Sequence, residues 1–109
     1  MMTIQPGDFW LANISFTNAT GSKKRPILVL WLDAQDLVVA AVTSASPRSP
    51  TDVLLVDWQT SGLRGPSTVR LSRLDCLEQS LMLIKLGHLS AGDAQRIQQV
   101  WTNEIRLQF

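Results

Sequence analysis

A chain of 109 residues, 45% hydrophobic and 17% charged, can bury one compact core and is too apolar to be a disordered tail. A net charge of +1 excludes a domain that binds polyanions over its whole surface, so any nucleic-acid contact must come from local clustering of cations. One cysteine, Cys76, and one histidine, His88, leave neither an intramolecular disulfide nor a Cys/His metal set.

No apolar run approaches the length of a membrane span, and no signal peptide precedes the first strand-like run. The expectation is a single soluble, cytoplasmic domain over 1–109, without membrane contact and without a cofactor.

In chain order, Pro6-Gly7-Asp8 is a turn signal, and Phe9 to Ile14 reads as a short aromatic-rich strand. Asn18 to Lys24 is a polar loop around Gly21. Pro26 to Leu32 reads as a strand buried on both faces, with Pro26 at its first position, where a missing N–H does least harm. A tight turn at Asp33 to Asp36 leads into a valine-rich strand, Leu37 to Thr43. The segment from Ser44 to Asp52, with Pro47 and Pro50, is a loop, and Val53 to Trp58 is a fourth strand. After a loop from Thr60 to Pro66, Val69 and Leu71 alternate with Arg70 and Ser72 in a half-buried strand. The alternation slips at Arg73-Leu74, which predicts a bulge or a short helical turn near Asp75 to Ser80. Leu81 to Leu89 is a last apolar strand in which Gly87 marks a bulge or a close backbone approach. Ser90 caps a helix with Asp93 in its first turn, and Ala94, Ile97, Trp101 and Ile105 form its apolar stripe. Five or six short strands and one terminal helix describe a small, mainly β barrel.

Three segments can carry chemistry. Gly21 to Pro26 sets Lys23, Lys24 and Arg25 beside a buried strand, and a guanidinium fixed at a loop–strand junction suits phosphate oxygens. A solvated charge run accounts for the same residues. Thr43 and Ser44 place two hydroxyls at a strand end, where Thr43 either meets a ligand or satisfies a backbone group. Arg70 lies on the polar face of its strand, as a ligand contact or as an exposed sheet cation. His88 reads as a structural histidine, because no acid or nucleophile stands at a telling spacing. Cys76 reads as a buried structural thiol. Trp31 and Trp101 read as core, and Trp58 is the best-placed tryptophan for stacking on a base.

The order of these blocks is more specific than any one of them. Gly7-Asp8 is followed by Lys24-Arg25-Pro26-Ile27-Leu28-Val29-Leu30 and by Val39-Ala40-Ala41-Val42-Thr43-Ser44. Gly62-Leu63 and Pro66-Ser67-Thr68-Val69-Arg70-Leu71 come next, then Leu77 to Leu81 and Lys85 to Ser90. From Pro6 to about Trp101 the chain resembles the MazF/PemK toxin family. The resemblance implies an SH3-like toxin barrel of five to seven short strands with a C-terminal helix. It also implies a homodimer that cleaves single-stranded RNA at short motifs without a metal, and a cognate antitoxin that silences it and joins it on DNA. Arg25 and Thr43 match the family's catalytic residues, and Ser44, Lys23, Lys24, Ser67 and Arg70 are the implied RNA-binding residues. The loops Ala45 to Asp52 and Thr60 to Pro66 are where sequence specificity would reside. Some members carry an acidic residue near the position of Ser67 and a His or Glu before the arginine. Here Ser67 and Asn18, Thr20 and Ser22 occupy those places, so the general base is unassigned. A non-enzymatic toxin on the same barrel, like the gyrase-poisoning relatives, and a module that binds RNA or antitoxin without catalysis remain as alternatives.

Overall fold

The computed structural model describes residues 3–14 and 23–109. Six strands form one antiparallel sheet: β1 (Asp8–Ile14), β2 (Lys23–Asp33), β3 (Asp36–Thr43), β4 (Asp52–Leu54), β5 (Thr68–Glu78) and β6 (Met82–His88). Their spatial order is β4-β5-β3-β2-β1-β6. A 3₁₀ turn, Gln79–Leu81, joins β5 to β6, and helix α1 (Ala91–Glu104) follows. The mainly β architecture with a terminal helix is the one expected.

Both faces of the central strands are covered, by alternate residues of the same strands. One face packs Trp10, Ala12, Ile14, Ile27, Val29, Leu37 and Val39 with Leu77 and Met82. The other packs Phe9, Leu28, Ala40, Val42, Val53, Val69 and Leu71 with Ile97 of α1. Continuous apolar runs in β2 and β3 are the sequence consequence of this two-sided burial.

Several boundaries differ from expectation. β2 starts at Lys23, so Lys23, Lys24 and Arg25 are strand residues and Pro26 is the fourth residue of β2. Proline is tolerated there because residues 23–26 pair with β1 alone, the β3 ladder ending at Ile27↔Ala41. The remainder of the expected loop, Asn18 to Ser22, lies outside the described residues. Burial on both faces extends only from Ile27 to Val29, while Trp31 and Leu32 are exposed. Trp31 is therefore no core residue, and it stands edge-on to Trp101 with ring centroids 5.8 Å apart.

β4 is three residues long; Leu55 still donates to the Ser67 carbonyl at 2.9 Å, and the N–H groups after it turn away from the sheet. Val56 and Asp57 donate to the two oxygens of the buried Asp93 carboxylate, at 3.0 and 2.9 Å. Ser90 is the helix N-cap and accepts from the Asp93 N–H at 3.1 Å, while its hydroxyl donates to Asp57 Oδ2 at 2.7 Å. Asp93 thus ties the chain after β4 to the start of α1, beyond the dipole role read from sequence.

The slip at Arg73-Leu74 is a bulge: Ala40 pairs with Leu74 and its neighbour Ala41 with Arg70, so Leu71 to Arg73 have no counterparts on β3. β6 is an edge strand with exposed Leu83 and Ile84, less buried than its composition suggested. The close approach at Gly87 is present. A Cβ there would lie 2.2 Å from the Ser61 carbonyl oxygen, and one on Gly62 (φ +85°) 1.9 Å from the Leu86 carbonyl oxygen.

Candidate functional site

Strand register assembles the site. Reading across the sheet, Ala12 pairs with Arg25, Thr43 with Thr68, and Thr68 with Leu54. The β2–β3 ladder ends at Ile27↔Ala41, and counting two residues further along each strand brings Arg25, two residues inside β2, to the level of Thr43, the last residue of β3. The pair Ala12–Arg25 and the trio Thr43, Thr68 and Leu54 therefore lie at one level of the sheet, on either side of the point where the β2–β3 ladder has ended. The next row on the same face is Trp10, Ile27, Ala41, Arg70 and Asp52.

These rows lie on the face opposite the helix-covered core. That face is divided. Toward the β2–β3 turn it is apolar, and toward Arg25 and Thr43 it is polar. The bulge in β5 falls at the boundary, and the small side chain of Ala41 occupies the floor beside Arg70.

Arg25 is exposed and forms no ion pair among the described residues. Strand alternation puts Lys23 on its face and Lys24 on the opposite one, so the three consecutive cations are divided rather than pooled. Thr43 is half-buried, and its Oγ1 accepts the Ala45 N–H at 3.2 Å. The backbone role considered from sequence is thus real, and it leaves the hydroxyl proton free to donate outward. Ser44 is exposed just past the strand end.

Two other expected residues have internal partners. The buried Ser67 hydroxyl donates to the Gly65 carbonyl at 2.8 Å, closing a turn. Arg70 is not an exposed sheet cation. Flanked by β4 and β3, it pairs through Nε with Asp52 Oδ1 at 3.4 Å. Its Nη groups carry no further partner among the described residues. Asp52 also accepts the Arg48 N–H at 2.9 Å. Trp58 is half-buried against the helix-side core, which engages the ring proposed for stacking.

A second polar cluster lies at the far end of β1, about 13 Å from Arg25 at the rise of an extended strand. His88 Nδ1 and Asp8 Oδ1 are 2.8 Å apart. The same carboxylate accepts from the Gln5 N–H at 2.9 Å and the Trp10 Nε1–H at 3.3 Å, and Lys85 Nζ stands 3.5 Å away. Burial disfavours its charge, but the hydrogen bonds from His88, Gln5 and Trp10 and the Lys85 charge outweigh that and hold the Asp8 carboxyl below its usual range. The acid missing from the neighbourhood of His88 in sequence is thus 80 residues away. Gly7, at φ +91°, lets the imidazole lie on its backbone, since a Cβ there would come within 2.8 Å of the ring.

Cys76 is exposed, not buried. Local desolvation and the charges of Asp36, Asp33 and Asp75 push its thiol up, away from a reactive thiolate. Among the described residues no group of three or more His, Cys, Asp or Glu side chains is arranged to hold a metal ion. No helix there is long and apolar enough to cross a membrane.

A six-stranded antiparallel sheet with one C-terminal helix, and with Arg25, Thr43 and Arg70 on one face, defines a small, mainly β protein. Residues 5–102 match the PemK-like, MazF-like toxins of type II toxin–antitoxin systems, and the chain belongs to that family. No curated protein matches the sequence. The fold is similar to the Mycobacterium tuberculosis toxin MazF-mt6, at 20% identity and TM-score 0.72, covering 88% of this chain and 93% of that one. An endoribonuclease from a mycobacterial species gives 17% identity and TM-score 0.75 over 100% of this chain and 97% of its own. A mycobacterial endoribonuclease in complex with its cognate antitoxin gives 16% and 0.72, over 90% of each. At these identities the likeness is one of fold.

Proposed function

We propose that the chain is a metal-independent endoribonuclease toxin that cleaves single-stranded RNA at short motifs, with Arg25 and Thr43 as its catalytic residues. The observation that carries this reading is the common level and face of a guanidinium without an ion pair among the described residues, near the start of β2, and a hydroxyl with a free proton at the end of β3. The mycobacterial neighbours described as endoribonucleases support it.

RNA supplies its own nucleophile. The 2′-oxygen attacks the adjacent phosphorus, the P–O5′ bond breaks, and a 2′,3′-cyclic phosphate and a 5′-hydroxyl result. The 2′-hydroxyl proton passes to a base, and the departing 5′-oxygen takes up a proton. Arg25 stabilises the charge that builds on the phosphoryl oxygens. Thr43 donates its O–H to one of them and aligns the phosphate for attack. Lys23, Ser44 and the free Nη groups of Arg70 extend the phosphate-binding surface. Ser67 shapes the turn before β5, and Lys24, on the other face, contributes long-range charge alone.

The partners that fit this reading are single-stranded RNA, a cognate antitoxin and a second copy of the chain. The antitoxin is supported by the neighbour that carries its own. The homodimer is supported by the exposed apolar groups Trp31, Leu32, Leu107 and Phe109. Incubation of antitoxin-free protein with a long mixed-sequence RNA in EDTA, with mapping of the new ends, tests the activity. Cyclic-phosphate and 5′-hydroxyl ends at a recurring motif are expected. Intact RNA would overturn the reading, and RNA deoxy-substituted at the cut site should resist cleavage.

A further inference from the structure

Thr68 is fully buried, and its Oγ1 has no hydrogen-bond partner among the described residues. A buried unpaired hydroxyl is a cost to the fold, and valine would fill the same volume without it. The residue therefore calls for an explanation other than packing.

Register supplies one. Thr68 is the direct cross-strand partner of Thr43 on the polar face, and such pairs bring Cβ atoms to about 5 Å. On its other side stands Leu54, which has no polar group to offer. Along β5 the neighbouring polar side chains are engaged elsewhere, Ser67 with Gly65 and Arg70 with Asp52. Thr43 Oγ1 takes one N–H, from Ala45, and retains a second acceptor position. Ser61, whose hydroxyl is also buried without a partner, lies in the loop packed on β6 and has no such neighbour in this row.

We propose that Thr68 is a positioning residue for Thr43. Because its oxygen is sealed from solvent, it acts through Thr43 and not on the substrate. When phosphate docks, the Thr68 hydroxyl donates to Thr43 Oγ1. With both acceptor positions of Thr43 then filled, its proton has one direction left, outward to the phosphoryl oxygen. The hydroxyl stays unpaired in the free protein and gains its partner in the complex, so the interaction favours the reacting state over the resting one.

This inference rests on the endoribonuclease reading, and the experiment separates the two. Single-turnover RNA cleavage in EDTA is measured for the parent, Thr68→Val, Thr68→Ser, Thr43→Val and the double valine variant, with thermal unfolding of each. Thr68→Val is expected to lower the cleavage rate about tenfold, near 1.4 kcal/mol, with little change in KM and a melting temperature at or above the parent's. Thr68→Ser should restore most of the rate. In the Thr43→Val background, Thr68→Val should have no further effect. An active parent with an equally active Thr68→Val variant overturns the positioning role alone. So does a lower melting temperature for Thr68→Val, an unrescued serine, or additive losses in the double variant. A folded parent that leaves RNA intact removes the activity and the inference together.

Discussion

Asp8 and Thr68 are both sealed from solvent, yet the fold treats them in opposite ways. Asp8 collects Gln5, Trp10, His88 and Lys85 around one carboxylate and joins the start of β1 to the end of β6. Thr68, cross-strand from Thr43, has no hydrogen-bond partner for its hydroxyl among the described residues. The saturated corner holds the sheet together. The unsaturated row keeps hydrogen-bonding capacity in reserve, as expected where a ligand completes the network. A buried polar group is thus read by what it lacks as much as by what it touches.

Substitutions can break that contrast. Arg25→Ala should give the largest functional effect, a loss of about 100- to 1000-fold in RNA cleavage, as for removal of a principal charge-stabilising donor. Its melting temperature should stay within a degree or two of the parent's, because the side chain is exposed and unpaired among the described residues. An equal loss of stability would place Arg25 with the structural corner instead.

Asp8→Ala should give the reverse pattern. Destabilisation of about 2–4 kcal/mol in urea is expected, since Trp10, Gln5 and His88 lose their acceptor and Lys85 loses its counter-charge. Cleavage per folded molecule should persist. The same carboxylate contributes an acid limb. Its pKa is lowered in the fold, so its stabilisation is complete above the unfolded-state value near 4 and is lost as pH falls through the folded one. Asp8→Ala should flatten the decline in melting temperature of the parent below about pH 4.

Smaller effects test the scaffold. Ser90→Ala removes both the cap on α1 and the bond to Asp57, and should cost about 1 kcal/mol in the same titration. Ala34, at φ +55° in the hairpin between β2 and β3, is the one described non-glycine residue with a positive φ. Ala34→Gly should raise stability by about 0.5 kcal/mol, relief of the left-handed strain exceeding the entropy lost by glycine.

How much of this was legible in sequence depended on the range of the interaction. Ser90 with Asp93, the Gly87 approach and the slip in β5 are local patterns, and they could be read directly. The start of β2 was missed because three cations and a proline imitate a loop, and only pairing with β1 holds them extended. Trp31 was misplaced because an apolar run does not reveal where cover ends. The Asp8–His88 and Arg70–Asp52 pairs span 80 and 18 residues, and no spacing rule reaches them. Arg25 and Thr43 are proposed through the family pattern. Thr68 was passed over because a threonine amid β residues looks like ordinary strand propensity, and its significance appears only once its neighbours are known.

The backbone contact between Gly62 and Gly87 sets a limit on redesign. With no room for a single Cβ on either side, and with Ser61 and Leu63 buried beside it, the segment before β5 behaves as a rivet. Grafting a foreign sequence there would unfasten β6. The stretch between Thr43 and Asp52 is anchored at both ends in the polar rows and is otherwise exposed, so it is the replaceable part. If the proposed RNA cleavage holds, retargeting is a problem of exchanging that one loop, with the other left intact.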